Sequence, residues 1–150
     1  MSAAEVGLFD VGCVDPDRPW SPPTQAHPDD AGLDLYASQD MVVHPGTFVD
    51  VPTNTWIDLP PTTWGLLTGR SSTLRTHHLL VAQGVIDEGY TGELFFGCWN
   101  LGAEPVQVQV GMRLAQLIIV PRWANLLVMS TALTPSVKGR GARWFGSSGR

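Results

Sequence analysis

An all-β domain of short strands with one short helix is the architecture this sequence predicts, and three observations predict it. Sixteen glycines and twelve prolines among 150 residues leave little room for long helices. From about residue 28 to 130 they punctuate the chain every eight to twelve residues, with runs rich in β-branched and aromatic residues between. Helical character is confined to one stretch, "SSTLRTH" at 71–77. Short strands at that spacing predict a sandwich or barrel.

The elements follow in chain order. Residues 15–28, "DPDRPWSPPTQAHP", hold five prolines and predict an ordered or extended lead-in. In "DDAGLDLYAS" Asp34 lies between Leu33 and Leu35, so on an alternating strand it faces away from both. Further strands are expected at "TFVDV" (47–51), "TWID" (55–58), "WGLLT" (64–68), "HLLVA" (78–82) and "ELFFGCWN" (93–100), then at "PVQVQV" (105–110), "RLAQLIIV" (113–120) and "NLLVM" (125–129). Val106, Val108 and Val110 alternate with Gln107 and Gln109, the period of a half-exposed strand. "LAQLIIV" is nearly all apolar and predicts burial on both faces, with Gln116 the exception. The helix is expected to begin at a Ser cap. Residues 1–133 read as one β-rich core. Residues 134–150 have neither period and read as a flexible C-terminal arm, yet one bearing Trp144, Phe145 and three arginines. Solvated tails are normally poor in aromatics, so the arm is expected to fold over something.

Charge and cysteine usage narrow the function. The net charge is -5, but residues 1–60 hold ten of the fourteen acids and a single base, Arg18. The last thirteen residues hold Lys138, Arg140, Arg143 and Arg150 with no acid. An acidic body with a basic tail suits one small polyanion better than a nucleic acid. No apolar run approaches the length of a membrane span. "MSAAEVGLFDVG" lacks a basic segment followed by an apolar one, so no signal peptide is expected. Cys13 and Cys98 form no CxxC, which points to a reducing cytoplasm, bacterial or that of a virus-infected host.

Each candidate group has two readings. "TGRSST" places Arg70, Ser71 and Ser72 at the helix start, where they suit either a phosphate or simple capping. His77 and His78 would point to opposite faces of a strand and read as surface residues. In "GVIDEGYTGELFF" (84–96) Asp87 ends an apolar run, in what reads as a hairpin. It is either a general base for water, beside the flat face of Tyr90, or a cap on its own turn. "FGSSG" is not a nucleophile elbow, and the chain's one lysine, Lys138, is not in a phosphate-binding loop motif.

Taken in order, "AGLDLYA", "GRSS", "GVIDEGYTGE", "GMRLAQLI" and "RGARWFGSSG" resemble the five motifs of the trimeric dUTPase family. The resemblance implies a distorted jelly roll, or β-clip, assembled as a homotrimer whose sites each draw on three subunits. It implies hydrolysis of dUTP to dUMP and pyrophosphate with Mg²⁺. Asp87 would activate a water toward the α-phosphorus, and Tyr90 would pack on the deoxyribose and exclude a 2′-hydroxyl. Backbone groups of Val85 and Ile86 would read the uracil edge. Asp34 would help hold the metal through water, and Arg70, Ser71, Ser72 and Gln116 would meet phosphates. In the arm, Arg140 would meet the γ-phosphate, Phe145 would stack on the base, and Gly146, Ser147 and Ser148 would close on the phosphates.

The chain departs from the pattern at Arg143 and Trp144, where the fifth motif usually has two glycines, and at Val81, where many bacterial relatives have asparagine. A dCTP deaminase would need a glutamate where Gly97 stands. A regulatory protein on the same fold is the alternative from another class.

Overall fold

The computed structural model describes residues 9–123. Arg140, Phe145, Gly146, Ser147 and Ser148, the expected boundary after residue 133 and the expected strand at 125–129 lie outside the described residues. Within them the chain forms β1 (Val11–Cys13), β2 (Leu33–Tyr36), β3 (Met41–Val43), β4 (Phe48–Pro52), β5 (Thr55–Ile57) and β6 (Thr63–Gly69). After these come α1 (Ser71–His77), β7 (Leu79–Val81), β8 (Gly84–Ile86), β9 (Phe95–Asn100), β10 (Val106–Val108) and β11 (Arg113–Pro121). All pairings are antiparallel, in four sheets ordered β1-β5, β10-β3, β2-β11-β6-β8 and β4-β9-β7. The architecture is therefore the layered one of a jelly roll, and none of the four sheets closes into a barrel.

Every sheet contributes to one core. Leu35, Leu67 and Leu117 enter from the four-stranded sheet, and Val51, Leu79 and Phe96 from the three-stranded one. Val43, Val108 and Ile57 come from the pairs. Strand alternation sorts them: in β9, Phe96 and Cys98 point inward while Phe95 and Trp99 are exposed. Burying one such aromatic contributes about 1.5–3 kcal/mol. β11 is more graded than its apolar run predicts. Leu114, Ala115 and Leu117 are buried, but Ile118, Ile119 and Val120 are half-buried, because β11 extends past β2 and there keeps only β6 as a partner.

The helix occupies its expected residues but is not capped by serine. β6 runs to Gly69, so the chain turns at Arg70, which is the N-cap in an extended conformation without a side-chain cap bond. Ser71 is thus already helical. The helix is instead fastened by Thr73, whose buried hydroxyl donates to the Leu114 carbonyl at 2.6 Å. His78 ends it with φ 56°, and its N–H donates to the Leu74 carbonyl at 3.0 Å. The two histidines therefore close a helix and do not lie on a strand.

The proline-rich lead-in is fastened to the core largely through one buried amide. Asn54, wholly buried, donates through Nδ2 to the carbonyls of Asp15 (2.9 Å), Arg18 (3.2 Å) and Pro19 (3.3 Å), and its Oδ1 accepts from Asp15 N–H (2.9 Å). Farther along, Thr24 and Asp34 exchange backbone hydrogen bonds of 3.3 and 2.7 Å.

Candidate active site

The segment around Asp87 is not a hairpin. β8 pairs with β6, whereas β9 pairs with β4 and β7, so residues 87–94 cross from one sheet to another. Because the two strands diverge, a space opens between them. It is a cavity of about 250 Å³ lined by Val85, Ile86, Asp87, Tyr90, Glu93, Leu94 and Phe95. Val85 and Phe95 are 66% and 48% exposed, so large apolar surface faces this space without a partner among the described residues.

The turn itself is closed by the backbone. Tyr90 N–H donates to the Asp87 carbonyl at 3.1 Å, and Gly89 takes a positive φ of 87°. Among the described residues no side-chain hydrogen bond or ion pair ties the Asp87 carboxylate, so it does not cap its own turn. The nearby cation is already engaged: Arg122 pairs with Glu88 at 2.8 Å, and Glu88 also accepts from Thr62 N–H at 3.1 Å. Asp87 is thereby left solvent-facing at the cavity mouth, a proton acceptor with its lone pairs open. Tyr90 is oriented by its hydroxyl, which donates to the Glu93 carbonyl at 3.0 Å. Gly92 permits this, since a Cβ there would lie 2.6 Å from that hydroxyl.

A second group forms around Asp34. Its side chain is not the solvent-facing strand acid that alternation allows: the residue is 7% exposed. Arg70 Nε meets its Oδ1 at 2.7 Å, and Arg113 Nη1 meets its Oδ2 at 3.3 Å. Two guanidiniums compensate its burial. Gln116 lies opposite Asp34 across the β11–β2 ladder, and its Nε2 donates to the Gly69 carbonyl at 3.1 Å. Ser71 and Ser72 stand exposed on the first turn of α1. Arg70 and Ser71 line a cavity of about 410 Å³ that reaches Leu80 and Val81.

The described site residues thus fall into two groups at opposite ends of β6. Ile86 pairs with Gly65, and Arg70 lies five residues farther along. At strand rise that is roughly 17 Å. Sequence reading missed two cations. Arg113 sits inside the fourth motif-like stretch and carried no signal beyond its charge. Arg18, the one base among the first sixty residues, was conspicuous by its solitude; it pairs with Glu93 at the cavity wall.

The family model described as dUTPase matches residues 18–149. The chain belongs to the dUTPase family. A deoxyuridine 5'-triphosphate nucleotidohydrolase of Pseudomonas aeruginosa is 37% identical over 132 residues, covering 85% of this chain and 86% of that one. One from Gloeobacter violaceus is 39% identical over 131 residues, covering 85% and 88%. Among solved dUTPases, a Staphylococcus bacteriophage 80alpha mutant with dUpNHpp superposes with a TM-score of 0.85 at 27% identity, covering 95% of this chain and 99% of the other. A mutant dUTPase from phage phi11 of S. aureus, with a structural Mg(II) ion, gives 0.77 at 25% identity, covering 85% and 99%. No described helix is long and apolar enough to cross a membrane.

Proposed function

We propose that the protein hydrolyses dUTP to dUMP and pyrophosphate, with Asp87 as the general base. One observation supports this above the others: a carboxylate without a side-chain partner among the described residues stands at the mouth of an apolar cavity beside a fixed tyrosine ring. Uracil enters between Val85 and Phe95, and backbone groups of Val85 and Ile86 read its polar edge. The Tyr90 ring packs on the deoxyribose and leaves no space for a 2′-hydroxyl. Asp87 takes a proton from a water, the water oxygen bonds to the α-phosphorus, and the bond from that phosphorus to the bridging oxygen breaks. Pyrophosphate leaves with the electron pair.

Arg70, Ser71, Ser72 and Gln116 hold phosphates of the same substrate. Within one chain they stand too far from Asp87 for one triphosphate to join them, which supports a site shared between copies in a homotrimer. Arg140, Phe145, Gly146, Ser147 and Ser148 of the arm complete the enclosure.

Magnesium fits this arrangement only through water. No cluster of three metal-binding side chains occurs among the described residues, and each oxygen of Asp34 already meets a guanidinium. A carboxylate oxygen with one lone pair left suits hydrogen bonding to a water of a Mg²⁺ that arrives on the triphosphate. That ion supplies charge neutralisation for the leaving pyrophosphate.

Gly97 weighs against cytosine chemistry. No carboxylate stands at the position where a deaminase would need one, and a Cβ there would lie 2.3 Å from the Phe48 ring, which would have to move. The test is to incubate the protein with Mg²⁺ and either dUTP or dCTP, and follow pyrophosphate and ammonia. Pyrophosphate from dUTP alone is expected. Ammonia from dCTP would overturn the reading.

A further inference from the structure

We propose that Arg18 is a positioning residue for nucleotide selection, acting through Glu93 on the cavity that holds the base and sugar; this rests on the proposed function. Arg18 Nη2 meets Glu93 Oε1 at 2.5 Å, and the same oxygen accepts from the N–H of Asn54 at 2.8 Å. The Glu93 side chain is 11% exposed, so water replaces these donors poorly. The backbone carbonyl of Glu93 is the acceptor that orients Tyr90. One residue therefore joins the lead-in to the ring that faces the sugar: its side chain is held from Arg18, and its main chain holds Tyr90.

The surroundings support a positioning role over incidental pairing. Arg18 Nε is buried and has no hydrogen-bond partner among the described residues, so within them the guanidinium sits where Glu93 draws it and not where its own donors are best satisfied. The lead-in is braced on both sides of the contact, by Asn54 at Asp15, Arg18 and Pro19, and by Trp20 Nε1, which donates to Thr55 Oγ1 at 3.1 Å. At its far end it pairs with the backbone of Asp34, the centre of the second group. A proline-rich strap of low conformational freedom thus spans from the cavity wall to the phosphate-side strand. Without Arg18, Glu93 keeps one neutral donor in a poorly solvated place, and the 87–94 crossing loses its one side-chain tie to the lead-in among the described residues.

The test compares Arg18→Met, which keeps the apolar stem, and Arg18→Lys, which keeps the charge, with the parent. Arg18→Met is expected to raise KM for dUTP about tenfold with kcat little changed, and to weaken rejection of UTP by a similar factor. Arg18→Lys should recover much of both. Glu93→Gln combined with Arg18→Met should be no worse than Arg18→Met alone. Hydrogen exchange of amides 87–94 should quicken in Arg18→Met while core amides stay slow, a readout that needs no catalysis. Exchange and nucleotide selection both at parental values would overturn the proposal, whereas a parent that leaves dUTP intact would overturn the function and leave exchange to decide this point. If Arg18→Met does not fold, Arg18→Gln, which removes the charge but keeps a polar side chain, takes its place, and parental KM, selectivity and exchange in that variant would refute the pairing.

Discussion

Replacing Asn54 by alanine attacks the structure where the lead-in, the β4–β5 turn and the cavity wall meet. The side chain is wholly buried and makes four hydrogen bonds to the lead-in. Its backbone also sits at φ 53°, a left-handed conformation that asparagine tolerates and alanine does not. The stranded Asp15 N–H costs about 1–3 kcal/mol; the three carbonyls, on a partly exposed segment, regain water and add about 1 more. The left-handed alanine adds about 1–2 kcal/mol. The sum is about 3–6 kcal/mol, a large part of the 5–15 kcal/mol by which domains are typically stable. Urea unfolding at fixed protein concentration measures it. Asn54→Gly loses the same hydrogen bonds without the backbone penalty and should be about 1 kcal/mol more stable than Asn54→Ala. A loss under 1 kcal/mol for the alanine variant, or a glycine variant no better than alanine, would refute the reasoning.

Two further predictions concern selectivity and pH. Tyr90→Ala should lower the preference for dUTP over UTP by tenfold or more in kcat/KM, since in the proposed site the ring fills the space of a 2′-hydroxyl; undiminished rejection of UTP would place that discrimination elsewhere. Burial, with the Asp50 carboxylate nearby, pushes the Cys98 thiol from 9.0 to about 11. The unfolded chain then sheds this proton first, so stability should fall as pH rises from about 9 to 11. Alkaline unfolding curves of Cys98→Ala should show a shallower fall over that window, and an identical slope would count against the burial argument.

Much of this fold is legible in the sequence because its signals are local. Gly and Pro mark the turns, Val106 and Val108 declare their strand by period, and 71–77 is the helix in full. What escapes is whatever depends on partners distant in the chain. The Ser cap fails because β6 persists to Gly69 and shifts the helix start onto Arg70. The expected hairpin fails because β8 and β9 each find a better edge elsewhere, which no pattern within 84–96 reveals. Asp34 alternates as a surface residue does, yet two arginines, 36 and 79 residues away, make its burial tolerable. Of the site, Val85, Ile86, Asp87 and Tyr90 were readable as one unit since they are near neighbours in sequence. Arg18 and Glu93 were not, because 75 residues separate them.

The account stands on Asp87 as the base that activates water, and Asp87→Asn with dUTP and Mg²⁺ tests that most directly. Asparagine keeps the size and polarity of an exposed side chain, so the fold and nucleotide binding should persist while pyrophosphate release falls by about a hundredfold or more. An asparagine variant that binds dUTP and releases pyrophosphate at the parental rate would contradict it.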